Sequence, residues 1–386
     1  MNEITRPGPA AADESSDQVP VRIVDCDIHV NPLNGMEIPD CLPEPWVSKG
    51  YRELLFAGGM LGTSVIFAPP NDGRRLDAFT PIGPPGSDPA TTGRQLFDES
   101  GVDVAIIIPM IEKNLANPEH EAAVAGAINA WLAKTWLGAY NGHGRYKGTL
   151  RISTDPDLAV AEIEKWAGHP HFVQVMLNPY VGGLFGEPKY DAVYRAAVKA
   201  GLALCSHVTV QRPGPALLTN YGPPTYYLEN HGQFPMLYAA HLTSMICGGV
   251  FDRFPDLRFT FIEGGYAWVL PYVWRMDKHW KLLNREVGLK RMPSEYVREH
   301  VSFTRQPVEE PRMPRHMART IELLGPHTLE FATDYPHWDG DYDPGFRFAG
   351  IPDDVKAMIL GGNAISKYRL PPTRPARHWS EFPTGL

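Results

Sequence analysis

The chain has 386 residues, 43% hydrophobic and 21% charged, an ordinary composition for a folded globular protein. Its formal net charge of -8 argues against nucleic acid as a partner. No apolar run approaches the ~20 residues of a membrane helix. The polar, acidic stretch from Ala11 to Asp17 lacks the apolar segment of a secretion signal. Cys26, Cys41, Cys205 and Cys247 are widely spaced without a CxxC pair, which reads as free thiols of a cytoplasmic protein.

Residues 1–20 read as a flexible tail, 21–370 as a single catalytic domain, and 371–386 as a Pro-rich extension. A first strand over 21–28 runs into Asp25-Cys26-Asp27-Ile28-His29 and leaves through Asn31-Pro32. The segment to about residue 100 is punctuated by proline, with a short helix expected over 44–56. Its length marks it as a cover over the strand exit. A regular rhythm follows. Strands are expected over 102–109, 146–152, 172–177, 202–207, 257–262, 301–304 and 328–332. Helices are expected over 118–140, 157–167, 190–200, 233–247, 268–284, 313–324 and 353–360. Asp155-Pro156 opens one of them and Gly201 ends another.

Strict alternation of strand and helix demands a parallel sheet. Eight such units fit a closed α/β barrel, (β/α)8, better than an open sheet. In that fold chemistry gathers at the C-terminal strand ends. Those ends carry Asp27 and His29, His207, Glu263, Thr304-Arg305 and Asp334.

Asp27 and His29 are two apart, so a strand points both to one face. With His207 and Asp334 they form a set of nitrogen and oxygen donors suited to one divalent metal ion, Zn²⁺ or Mn²⁺. His241, in a helix, is a candidate acid or base, and His231 a weaker one. Glu263 precedes two glycines that let a ligand approach the backbone, and it is a candidate base. Arg275 offers a guanidinium for a substrate carboxylate. His337 and Asp339 extend the polar rim, with His337 placed to orient a ligand. Tyr221, Tyr226, Tyr227, Phe234, Trp268 and Trp338 are candidate walls for an aryl or diene substrate, although such residues more often serve packing. No nucleotide-binding glycine loop and no GxSxG elbow is present.

Asp25 to His29, Gly249 to Leu257, Phe261 to Gly265 and Ala332 to Asp339 together resemble the amidohydrolase-related family, the metal-dependent hydrolases and decarboxylases typified by aminocarboxymuconate-semialdehyde decarboxylase. The resemblance spans roughly residues 22–370. It implies a (β/α)8 barrel with one metal ion held by Asp27, His29, His207 and Asp334. It also implies an arginine, Arg275, that grips the substrate carboxylate, and a homodimer or higher oligomer. Where the decarboxylases carry a catalytic histidine after strand 6, this chain has Glu263. That departure leaves room for hydrolysis and makes His241 a candidate for the missing acid or base.

The first expectation is therefore non-oxidative decarboxylation of an aromatic or unsaturated carboxylate. Catalysis would rest on His241, Glu263, Arg275 and Asp334, and substrate binding on Arg275, Tyr226, Trp268 and His337. The second is hydrolysis of an amide, lactone or C–C bond by a metal-bound water. The third is a metal-free scaffold barrel. Small-molecule carboxylates or amides are the expected partners.

Overall fold

The computed structural model describes residues 21–52, 73–109, 117–180, 182–208, 226–342 and 350–372. Residues 1–20 and 373–386, expected as tail and extension, lie outside them. Eight parallel strands follow one another around a nearly closed barrel in sequence order. They are β1 (Val24–Ile28), β2 (Val104–Ile107), β3 (Tyr146–Arg151), β4 (Phe172–Leu177), β5 (Ala203–His207), β6 (Phe259–Ile262), β7 (Val301–Thr304) and β8 (Leu329–Glu330).

The helices lie between them. They are α1 (Pro89–Gly93), α2 (Pro118–Lys134), α3 (Pro156–Trp166), α4 (Asp191–Ala200), α5 (Tyr227–Cys247), α6 (Val250–Arg253), α7 (Val269–Val287), α8 (Pro293–His300), α9 (Pro314–Leu324), α10 (Asp353–Ala357) and α11 (Asn363–Tyr368). Local chemistry sets their ends. Asp155 accepts from the backbone N–H groups of Asp157 and Leu158 before Pro156 starts α3. Gly201 ends α4 in the left-handed conformation at φ 71.

The barrel interior is packed in layers. Val24, Cys26, Val104, Ile106, Val173 and Ala203 fill the lower level. Ile108, Met176, Cys205 and Ile262 fill the upper one. From below, α11 inserts Lys367 and Tyr368, which both bond the buried Glu330 carboxylate at 2.9 Å.

The β1–β8 seam is closed by individual backbone bonds. Cys26 N donates to Phe331 O at 2.9 Å, His29 N to Tyr335 O at 2.6 Å, and Asp334 N to Asp27 O at 3.1 Å. The Asp25 carboxylate reinforces the seam, accepting from the Thr333 backbone N–H at 3.0 Å and hydroxyl at 2.5 Å.

Two local expectations are corrected. Glu44–Gly50 is a run of turns, because Pro43 and Pro45 interrupt the start of the expected 44–56 helix; helical structure begins at Tyr51, and 53–56 lie outside the described residues. Strand 8 is shorter than 328–332, since the chain beyond Glu330 turns to bond β1. Beyond the expected 353–360 helix, Gly361-Gly362-Asn363 continues α10 through a wide turn over Met358–Gly362 into α11. A glycine is required at 361 because a Cβ there would lie 2.1 Å from the Arg22 carbonyl oxygen.

That close approach yields a test. Gly361→Ala forces this segment away from β1 and is expected to cost about 1–3 kcal/mol, read as a lower urea midpoint. An unchanged midpoint would show that the contact is not a packing constraint.

Candidate metal centre

The seam bonds that close the barrel also bring Asp27, His29 and Asp334 together. His207 joins them from the end of β5. One ligand atom from each of the four lies within 4.8 Å of the others, and all four residues are buried. A bulge in the β1 ladder between Asp25 and Ile28 turns the strand end so that both Asp27 and His29 contribute.

The two imidazoles are oriented alike. His29 Nδ1 bonds the Ile108 carbonyl at 3.0 Å, and His207 Nδ1 bonds the Val208 carbonyl. With Nδ1–H donating to backbone, each ring turns a bare Nε2 inward. His29 Nε2 lies 3.0 Å from Asp334 Oδ1 and 3.3 Å from Asp27 Oδ1. His207 Nε2 lies 3.3 Å from Asp27 Oδ2 and 3.4 Å from Glu263 Oε2. Both Asp27 carboxylate oxygens and His207 Nε2 are buried without a hydrogen-bond partner. Buried polar atoms are costly unless satisfied. Here lone pairs of two imidazoles and two carboxylates converge, so the residues fit a divalent cation.

The electrostatics agree. Burial alone would lower the pKa of His29, but Asp27 and Asp334 outweigh it and raise it. Burial would raise Asp334, yet His337 and His29 hold it far below the usual carboxylate range. Glu263 is pushed well above its ordinary value by burial and then by the charges of Asp334, Asp27 and Asp339. Carboxylates and imidazoles thus bear on one another throughout the cluster, which a shared cation would bridge.

Backbone strain is concentrated at the same place. Glu263 and Asp334 sit in the left-handed region at φ 60 and φ 59. The Glu263 N–H donates to the Thr304 hydroxyl at 2.8 Å, fixing the turn that aims its carboxylate inward. Asp334 is held by His337 Nδ1 at 2.5 Å and by the Gln306 amide at 3.3 Å.

The remaining expected site residues divide. Trp268 shares its indole N–H between the Gly264 and Gly265 carbonyls at 3.1 Å and sets its ring against Tyr272 and Phe303 in the outer core. His337 joins the rim, with Glu263 and Asp334 as neighbours. Tyr226 points to solvent at the start of α5, 68% exposed. Tyr221 and the side chain of Tyr227 lie outside the described residues.

His241 does not join the group. Its Nε2 bonds the Pro179 carbonyl at 2.9 Å, its ring stacks on Phe185, and burial lowers its pKa to about 4. It secures the β4–α4 connection, so its position gives no support to the acid–base role expected of it. His231, ranked below it from sequence, is nearer the rim, with Nδ1 3.7 Å from Asp339. Arg275 is likewise remote. It is exposed on α7 and lines an outer groove with Thr243, Tyr272, Met276 and His279. The cation that does approach is Arg74, overlooked in the cover segment. Arg74 pairs with His337 in a β-bridge, and its charge is felt by Glu263 and His337. Only its place ahead of the turn-rich 80–89 stretch could have singled it out.

A (β/α)8 barrel with a buried Asp-x-His, His, Asp set at its mouth defines a metal-dependent enzyme of the amidohydrolase type. The amidohydrolase family model matches residues 24–370, and the chain belongs to that family. Over 159 residues it is 28% identical to the 2-amino-3-carboxymuconate-6-semialdehyde decarboxylase of Dictyostelium discoideum, a match covering 39% of this chain and 42% of that protein. The chain thus aligns with less than half the length of that relative. Among solved structures, the 5-carboxyvanillate decarboxylase of Sphingomonas paucimobilis superposes with a TM-score of 0.65 at 22% identity, over 91% of this chain and 100% of that one. An amidohydrolase from Mycobacterium avium subsp. paratuberculosis gives 0.66 at 20% identity, over 90% and 99%. A manganese-bound dihydroxybenzoic acid decarboxylase from a Polaromonas species gives 0.62 at 18% identity, over 90% and 97%. These structures share the fold. Among the described residues no helix is long and apolar enough to cross a membrane.

Two measurements test this geometry. Mn²⁺ or Zn²⁺ added to the chelator-treated protein should raise stability by about 3 kcal/mol at a hundredfold excess over its Kd, and Asp334→Asn should remove that increment in a thermal melt. An equal increment in the variant would place the ion elsewhere. The second concerns His241. Its folded pKa of about 4 lies below the ordinary 6.5, so its contribution is present above pH 6.5 and is lost as pH falls toward 4. His241→Gln, which keeps a donor, should flatten the acid limb of urea stability across that window, by up to about 3 kcal/mol. An unaltered slope would mean that the ring is not held neutral.

Proposed function

We propose that the protein is a non-oxidative decarboxylase of aromatic or unsaturated carboxylates. The observation that carries this reading is Glu263, a buried carboxyl aimed inward at the cluster, with Oε2 3.4 Å from His207 Nε2. A carboxyl so placed stands beside the bound substrate and can pass it a proton. Asp27, His29, His207 and Asp334 would hold one Mn²⁺ or Zn²⁺. When bound, that ion supplies a Lewis acid for the substrate carboxylate and an adjacent oxygen. Manganese is what the Polaromonas enzyme carries, and two imidazoles with two carboxylates suit either metal.

The chain's own residues supply the rest. Arg74 takes over the carboxylate clamp first assigned to Arg275, since its charge already bears on Glu263 and His337. Glu263 delivers its proton to the carbon that bears the carboxylate. The C–C bond then breaks with release of CO2, and Glu263 regains a proton from solvent. His337 keeps Asp334 ionised and oriented. Hydrolysis stands as the second reading because Glu263 occupies the position where the decarboxylases have histidine; deprotonated, it would serve as base.

The same reading includes a cytoplasmic setting, in keeping with four free cysteines. It also includes a homodimer or higher oligomer. Trp274, Leu282, Leu283 and Val287 are exposed along α7, and a second copy packed there would enclose the groove that Arg275 lines.

Incubation of the metal-restored protein with a panel of aryl carboxylates and aryl amides should release one CO2 per acid consumed. Glu263→Gln should lower kcat by about 10² to 10⁴ with metal content unchanged. Amide consumption without CO2 would contradict decarboxylation and establish the hydrolytic reading.

A further inference from the structure

Strand β7 leaves the barrel through Thr304, Arg305 and Gln306, all three buried. The Thr304 hydroxyl accepts from the Glu263 N–H at 2.8 Å and donates to the Gln306 backbone carbonyl at 3.1 Å. The Arg305 N–H donates to the Glu330 carbonyl at 2.8 Å. This exit is thereby tied to β6 on one side and to β8 on the other. From it the Gln306 side chain, 1% exposed, reaches Asp334.

The two Asp334 oxygens are engaged differently. Oδ1 faces His29 Nε2 at 3.0 Å and His337 Nδ1 at 2.5 Å. Oδ2 accepts from Gln306 Nε2 at 3.3 Å. An ionised carboxylate only accepts hydrogen bonds, so the amide turns its nitrogen toward Asp334 and its oxygen away. That oxygen, Gln306 Oε1, is buried without a partner. An apolar side chain of the same length would leave no orphaned oxygen, so what the amide contributes here is its N–H. Asp27 differs, since neither of its oxygens has a hydrogen-bond partner. Asp334 is thus the carboxylate whose second oxygen is withheld.

We propose that Gln306 is a positioning residue that sets the metal preference of the centre. By holding Oδ2, it confines Asp334 to a single oxygen, Oδ1, for the ion. Four-coordinate sites with imidazole donors suit Zn²⁺, whereas added carboxylate oxygens suit Mn²⁺ and its six-coordinate geometry. With Gln306 in place the oxygen count stays low and the balance shifts toward Zn²⁺. Without it, Oδ2 is free to join Oδ1, and Mn²⁺ gains on Zn²⁺. This rests on Asp27, His29, His207 and Asp334 being the ligands, and not on the reaction they serve.

The test is the ratio of the Mn²⁺ and Zn²⁺ dissociation constants of the full chain, read by competition against a metallochromic chelator. Wild type is compared with Gln306→Met and Gln306→Asn. Methionine matches glutamine in length and has no N–H to give. Asparagine keeps the amide but falls about 1.5 Å short of Asp334, and it decides the matter if the methionine variant fails to fold. Each variant should narrow the Mn²⁺-to-Zn²⁺ ratio about tenfold, the lower end of what partners of metal ligands contribute. A ratio left unchanged, whether or not affinity falls, overturns the proposal, because mere loosening of Asp334 would weaken the two ions alike. A wild type that binds neither ion overturns it together with the metal centre, and the Asp334→Asn melt reports that failure separately.

Discussion

The seam between the first and last strands is the constraint on which the rest of this molecule depends. A barrel must close somewhere, and here it closes through a few specific backbone bonds between residues 26–29 and 331–335. Those bonds set the separation of Asp27, His29 and Asp334, which are 307 or fewer positions apart in sequence yet within one ligand radius in space. Asp25 and Thr333 buttress the join just below, and the Gly361 segment packs against β1 from outside.

The cost of the arrangement is visible. Two carboxylates and two imidazoles are buried together, with both Asp27 oxygens unsatisfied. Two non-glycine residues, Glu263 and Asp334, hold left-handed backbone conformations. Each feature is unfavourable for folding alone. They become coherent around a cation, which would satisfy the orphaned lone pairs and balance the carboxylate charges that press on Glu263.

The barrel was legible because its strands are apolar on both faces and stop abruptly at polar residues, a pattern that neither surface strands nor loops produce. Asp27, His29, His207 and Asp334 were legible for the same reason, as polar residues where such runs end. The helices were another matter. Periodicity gives a helix and a face, but not what that face meets. His241 and Arg275 therefore looked equivalent to site residues, although one is bonded to the Pro179 carbonyl and the other lies on the outer layer. Arg74 was hidden because its approach depends on a bridge to His337 that no local pattern encodes.

Anomalous diffraction at the manganese or zinc edge, from crystals of protein loaded with that metal, tests the central claim most directly. The account predicts one strong peak in contact with His29 Nε2, His207 Nε2 and the carboxylates of Asp27 and Asp334. A fully loaded crystal with its peak away from these four side chains would contradict it.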